Sequence, residues 1–145
     1  VKEPWLTSIR LDRPGIRAAL GDLEAEVMEA IWARPPGTAV TVREVFEALY
    51  GRRRLAYTTV MTTMARLARK GLLVAEKSGP AYLYRAALSR EEFIDHFVGA
   101  ALERLLVNFA GATRRQLEKL TDPDLQARLA ELLEQVERRR ARGEK

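Results

Sequence analysis

The chain has 145 residues, 47% of them hydrophobic and 31% charged, which suits one domain with a real core or a compact module carrying an appended arm. It holds no cysteine, which excludes a disulfide framework, a thiolate metal site and a cysteine nucleophile, and fits a reducing, cytoplasmic setting. The net charge of +5 is uneven: residues 52–85 hold eight basic groups against one acidic, residues 21–51 two against six, and residues 86–145 eleven of each.

The opening stretch "VKEPWLTSIRLDRPG" lacks the apolar segment of a signal peptide, and no apolar run approaches the roughly 18 residues of a membrane span. The expectation is a soluble protein that is not exported. A first helix is predicted from Gly21, where "GDLE" places a glutamate three residues after a permissible N-cap. Leu23, Val27 and Ile31 recur at helical spacing, and "RPPG" (Arg34 to Gly37) ends the helix. After a short extended "TAV", Thr41 and Glu44 form a capping box for a second helix with Val42, Val45 and Leu49 on its apolar face, stopped by Gly51.

"RRRL" then leads into a third helix, "LAYTTVMTTMARLARKG", closed by a basic last turn and Gly71. Four of its residues are threonines, Thr58, Thr59, Thr62 and Thr63, although a branched β-carbon makes threonine a poor helix former. On a helical projection they share one arc with Arg66, Arg69 and Lys70, while Val60, Met61, Met64, Leu67 and Ala68 occupy the other. A helix facing only water normally uses Glu, Lys, Gln or Arg, yet no acidic residue lies between Leu55 and Gly71. A DNA major groove accounts for both features. Short hydroxyl side chains allow close approach, can bond to base edges or phosphates and offer methyls to thymine, whereas carboxylates would be repelled. The candidate DNA-contacting set is therefore Thr58, Thr59, Thr62, Thr63 and Arg66. Arg52, Arg53 and Arg54 in the preceding turn are candidate phosphate clamps, Tyr57 a phosphate contact or a buttress, and Lys77 a wing contact.

Downstream the period changes. Leu72 to Glu76 and Ala81 to Arg85 are two β-prone runs around a Ser-Gly-Pro turn, a hairpin in which Tyr82 and Tyr84 are expected to pack. "SREE" (Ser89 to Glu92) opens another helix, with Phe93, Phe97, Ala100, Ala101 and Leu105 on one side. Asp122 and Pro123 open a final helix bearing Leu125, Leu129, Leu132 and Val136, and "ERRRARGEK" frays. The predicted fold class is mainly α with a small β-hairpin wing: a winged helix-turn-helix DNA-binding domain followed by two helices whose apolar faces need a second copy to cover them. The expected dimer contacts are Phe93, Phe97, Ala101, Leu105, Phe109, Leu125, Leu129 and Leu132.

An enzyme is not expected. His96, the only histidine, sits beside Asp95 but has no histidine partner at ligand spacing, and there is no phosphate-binding glycine loop or nucleophile elbow. No metal and no cofactor are anticipated. The rival reading is a winged helix used to bind an acidic protein partner.

The blocks "LGDLEAEVMEAIW", "TVREVFEAL", "LAYTTVMTTMARLARKGLL" and "YLYRAALSREEF" resemble, over about residues 20–110, the penicillinase-repressor family of winged-helix repressors of β-lactamase, methicillin-resistance and copper-homeostasis operons. The resemblance implies a homodimer on a palindromic operator, with Tyr57, Thr58 and Thr59 on the helix that enters the major groove. It also implies a candidate cleavage site at Asn108 and Phe109, matching the Asn-Phe bond cut in some members after a membrane sensor-protease detects a β-lactam. The C-terminal cysteine motif of the copper-responsive members is absent.

Residues 1–19 form an extension before the family's usual start, carrying Trp5, Arg10, Arg13 and Arg17. It reads as a packing arm, a minor-groove arm or disorder, with packing through Trp5 favoured. Pro80 at the wing tip departs from the basic or polar residue expected there. The expected division is therefore extension 1–19, winged-helix domain 20–88 and helical dimerisation region 89–145.

Overall fold

The computed structural model describes residues 8–143, which fall into two compact units dividing between Ala101 and Leu102. Trp5, expected to anchor the N-terminal segment, lies outside the described residues.

The first unit begins with a short 3₁₀ helix, Gly15–Ala18, followed by α1 (Asp22–Trp32), α2 (Val42–Tyr50), α3 (Tyr57–Arg69), the strands β1 (Leu73–Ser78) and β2 (Ala81–Ala86), and the start of α4 (Arg90–Asn108). Local chemistry sets the helix starts. The Glu24 carboxylate accepts from the Gly21 backbone N–H at 3.2 Å. Thr41 and Glu44 exchange side-chain-to-backbone bonds at 3.1 and 3.3 Å, and Ser89 and Glu92 do the same at matching distances. At the other end of α3, Gly71 takes a φ of +87°, the left-handed position that turns the chain into the hairpin.

β1 and β2 pair antiparallel from Leu73 opposite Ala86 to Ser78 opposite Ala81, so Gly79 and Pro80 alone form the turn. Gly79 supplies the positive φ and proline the negative φ that follows, the pattern of a type II′ turn. The extended "TAV" segment adds a bridge: Val40 and Tyr84 exchange two backbone hydrogen bonds, both at 2.8 Å. Tyr84 is buried, and that burial pushes its phenol above the ordinary tyrosine range, while Tyr82 is 51% exposed, its ring tilted at 45° with its centroid 6.5 Å from that of Tyr84.

α1, α2, α3 and the hairpin enclose one core, in which Val27, Met28, Val45, Val60, Met64, Leu67 and Leu72 are sealed from solvent. Each such side chain is worth roughly 1.5–3 kcal/mol of burial, which outweighs the weak helix propensity of the threonine-rich α3. Ile16, Ala19 and Leu20 belong to the same core, so the segment before α1 is bound to the domain by apolar packing.

Phe93, expected at the dimer interface, is buried within the first unit of the single chain. It is fully buried in this core, with its ring 5.5 Å from that of Trp32, whose indole N–H donates to the Leu88 carbonyl at 3.0 Å. Phe97 is half-buried against the same core. The apolar stripe predicted from Phe93 to Leu105 thus serves its own unit at its beginning, where Phe93 packs on Trp32 at the end of α1.

The second unit holds the end of α4, then α5 (Ala110–Lys119) and α6 (Pro123–Ala141). Three helices follow the hairpin rather than two. Phe109, with φ −137° and ψ +55°, interrupts the path between Asn108 and Ala110. No described residue from Leu102 onward is buried in the single chain. Asp122 caps α6 through the Asp124 N–H at 2.9 Å, with Pro123 in the first turn. Among the described residues no helix is long and apolar enough to cross a membrane.

Candidate nucleic-acid interface

α3 is held by its Val60, Met64 and Leu67 face, and this anchoring decides what it presents outward. Thr58, Thr59, Thr62, Arg66 and Arg69 are exposed. Arg66 and Arg69 make no side-chain hydrogen bond or ion pair among the described residues, so their guanidinium donors remain open. No side chain caps the start of α3, where the positive end of the helix dipole lies, and of the first-turn amides the Thr59 N–H donates to the Ala56 carbonyl at 3.1 Å.

The structure corrects the predicted arc at both edges. Thr63 was expected on the outward face, yet it is only 4% exposed. It lies about 40° from Leu67 on the helical projection, close enough to the core for α1 to cover it. Met61, expected inside, is 44% exposed, so the outward arc runs from Met61 past Thr58 to Thr59.

The hydroxyls also behave in a specific way. Thr62 Oγ1 donates to the Thr58 carbonyl and Thr63 Oγ1 to the Thr59 carbonyl, each at 2.8 Å. Their protons are used inside the helix, and Thr62 therefore offers a methyl group and an acceptor oxygen rather than a free donor.

Thr58, Thr59, Thr62, Thr63 and Arg66 come together along one open depression of about 420 Å³, completed by Gly21, Leu23 and Glu24 at the start of α1. Glu24 is the acidic group nearest this face and is neutralised there: its second carboxylate oxygen receives the Lys70 ammonium at 2.7 Å, and its side chain is 10% exposed. The interface thus lacks an open carboxylate on α3 and holds a paired one beside it.

The turn before α3 is ordered by aromatic stacking. Phe46 lies 5.2 Å from Tyr50 and 5.6 Å from Tyr57, and the Arg54 guanidinium sits 4.7 Å above the Tyr50 ring while donating to its hydroxyl at 2.7 Å. Tyr57 thus packs its ring against Phe46 while remaining 41% exposed. Arg53 is tied to Glu26 at 2.9 Å, and Arg52 is exposed with no side-chain partner among the described residues. Lys77 is exposed on β1 opposite Tyr82 and does not line the depression, whereas Arg85 on the wing is paired with Glu76.

Sequence reasoning missed the salt-bridge system around α1. Arg13 donates to the Asp22 carboxylate, which that hydrogen bond holds below the ordinary aspartate range, and Arg17 reaches Asp22 at 3.2 Å and Glu26 at 4.0 Å. Among the described residues no group of three His, Cys, Asp or Glu side chains is arranged to hold a metal ion.

A family model described as penicillinase repressor matches residues 20–135. Two curated relatives, each named transcriptional regulator BlaI, come from two strains of Mycobacterium tuberculosis, CDC 1551 / Oshkosh and ATCC 25618 / H37Rv. Both are 47% identical over 75 residues, 52% of this chain and 53% of the relative, so the chain spans about half the length of the relatives it matches. Among solved structures, the solution structure of the DNA binding domain of the repressor BlaI is 28% identical with a TM-score of 0.43. That of the Bacillus licheniformis BlaI monomeric form in complex with the blaP half-operator is 28% identical with a TM-score of 0.40. Each covers 48% of this chain and 82% of the other.

Proposed function

The chain belongs to the penicillinase-repressor family, and from that premise we propose that it is a transcriptional repressor that binds an operator duplex through α3. The observation that carries this reading is the outward face of α3: exposed threonines and Arg66 along an open depression, Arg69 exposed on the same helix, both arginines without a side-chain partner among the described residues, and no carboxylate on the helix. Thr58, Thr59, Thr62 and Arg66 meet base edges in the major groove, while Arg52, Arg53, Arg54 and the uncapped start of α3 meet phosphates. Thr63 supports the face from behind, and Lys77 on the wing reaches the backbone beside it.

The active form is a homodimer on a palindromic operator. Support comes from the second unit, where Leu105, Phe109, Leu129 and Leu132 are all exposed in the single chain, an arrangement that favours burial against a second copy. Ala101 and Leu125 are half-buried in the single chain. Inactivation follows from cleavage between Asn108 and Phe109 by a membrane sensor-protease that responds to a cell-wall or β-lactam signal. The helix break at Phe109 supports it, since proteases act on non-helical backbone.

The test is selection of duplexes from a random pool with the purified chain. A palindromic consensus, bound far more tightly than random DNA and losing affinity steeply with salt, is the expected result. Equal, weak binding to all duplexes would turn the assignment toward a protein-interaction module. For the cleavage step, Asn108→Ala should abolish induction in cells, and normal induction would remove that step.

A further inference from the structure

The segment up to residue 19 precedes the matched family region, which begins at residue 20, yet ion pairs link it to α1 and, through Glu26, to the turn before the recognition helix. Its anchoring is apolar: Ile16, Ala18, Ala19 and Leu20 are buried, and the Arg10 N–H donates to the Ala18 carbonyl at 2.8 Å, closing the segment on itself. What it displays is cationic. Arg13 and Arg17 both reach Asp22, Arg17 also approaches Glu26, and Glu26 holds Arg53 of the turn before α3. Three guanidinium groups therefore surround two carboxylates.

This cluster stands beside the proposed interface. Asp22 follows Gly21, and Gly21, Leu23 and Glu24 form the α1 wall of the depression whose other wall is Thr58, Thr59, Thr62 and Arg66. Arg53 joins the cluster to the turn that leads into α3.

The ion pairs have little to do for stability. Arg13, Arg17, Arg53 and Asp22 all keep more than a third of their side-chain surface in water, where such pairs contribute little, and the segment is already held by its buried apolar residues. What the pairing does is orient the guanidinium groups and cancel Asp22 and Glu26, which would otherwise repel phosphate beside the recognition face. Each guanidinium carries five N–H donors and uses only one or two of them in these pairs, on side chains that stay 37% to 48% exposed.

We propose that Arg13 and Arg17 are additional phosphate-contacting residues, so that the segment before the family domain extends the footprint on the same duplex that α3 reads. The proposal rests on the DNA-binding function above. It concerns the sugar-phosphate backbone and predicts no change in sequence preference.

The experiment compares the full chain with Arg13→Gln/Arg17→Gln and with Arg13→Lys/Arg17→Lys, titrating a selected operator and a random duplex at several salt concentrations. The Gln pair should lower affinity about tenfold for both duplexes alike and make the slope of log K against log salt shallower by about one to two, near 0.9 per lost phosphate contact. The Lys pair should keep the parent slope, a readout that a purely structural role would not produce. An unchanged slope in the Gln pair would overturn the proposal while leaving α3 as the reader, as would a loss confined to the operator. If the parent binds no duplex in a salt-dependent way, both this inference and the function it rests on fall.

Discussion

At the scale of single residues, the proposed interface on α3 separates binding from stability between two side chains three positions apart. Arg66 is exposed, unpartnered among the described residues and at the rim of the depression; Thr63 is buried behind the same rim. Arg66→Ala should weaken operator binding by roughly 1–3 kcal/mol and leave the melting temperature within error. Thr63→Ala should do the reverse, lowering stability by roughly 1 kcal/mol through the lost back-bond and buried methyl with little direct effect on affinity. Parallel binding and thermal-melting curves check both, and equal melting shifts in the two variants would contradict this placement. Helical periodicity was enough to tell the two faces of α3 apart, because 3.6 residues per turn resolves a face. It could not place Thr63 and Met61, which sit at the boundaries, where the width of the covered arc depends on α1 and not on α3.

At the scale of elements, the helix starts were the most legible part of the chain. The boxes at Thr41–Glu44 and Ser89–Glu92 are short-range chemistry, written in residues three apart and realised in the structure. Glu44 does more than cap α2. Hydrogen bonding from Arg34, at 2.7 Å, and then from the Thr41 backbone holds its carboxyl below the ordinary glutamate value of 4.5. Because the folded-state pKa is the lower one, the stabilisation is present above the unfolded value and disappears as pH falls through the folded value. Melting temperature should therefore decline as the solution is acidified below about pH 4.5, and Glu44→Gln, which can keep the capping box but loses the charge pairing with Arg34, worth up to about 1 kcal/mol at neutral pH, should show a flatter decline. Parallel profiles for parent and variant would remove Glu44 as a contributor. The Arg34 partner was not legible, and neither was the Glu26 link to Arg53, 27 residues away. Such pairs are created by the fold and leave no periodic trace.

At the scale of the molecule, the sequence marked an apolar stripe along the trailing helices without indicating what covers each part. Phe93 reads as the first member of that stripe, and its burial against Trp32 assigns it to the first unit. A boundary drawn at Ser89 would therefore strip the winged domain of a core aromatic, at a loss of about 3–5 kcal/mol for the equivalent Phe→Ala change. The self-association test must keep the chain intact. Replacing Leu129 and Leu132 together with glutamate puts charge into the proposed contact while disturbing no buried residue of the single chain, since both are already exposed. Sedimentation of the parent should give a dimer and the double variant a monomer. The same variant should bind a half-site as the parent does but lose most of its advantage on the full palindrome, because two tethered recognition helices gain from effective concentration and a lone one does not. Cleavage after Asn108 would remove α5 and α6 together and should therefore reproduce the variant's loss on the palindrome. A double variant that still sediments as a dimer would place self-association on some other surface and break this link between cleavage and release.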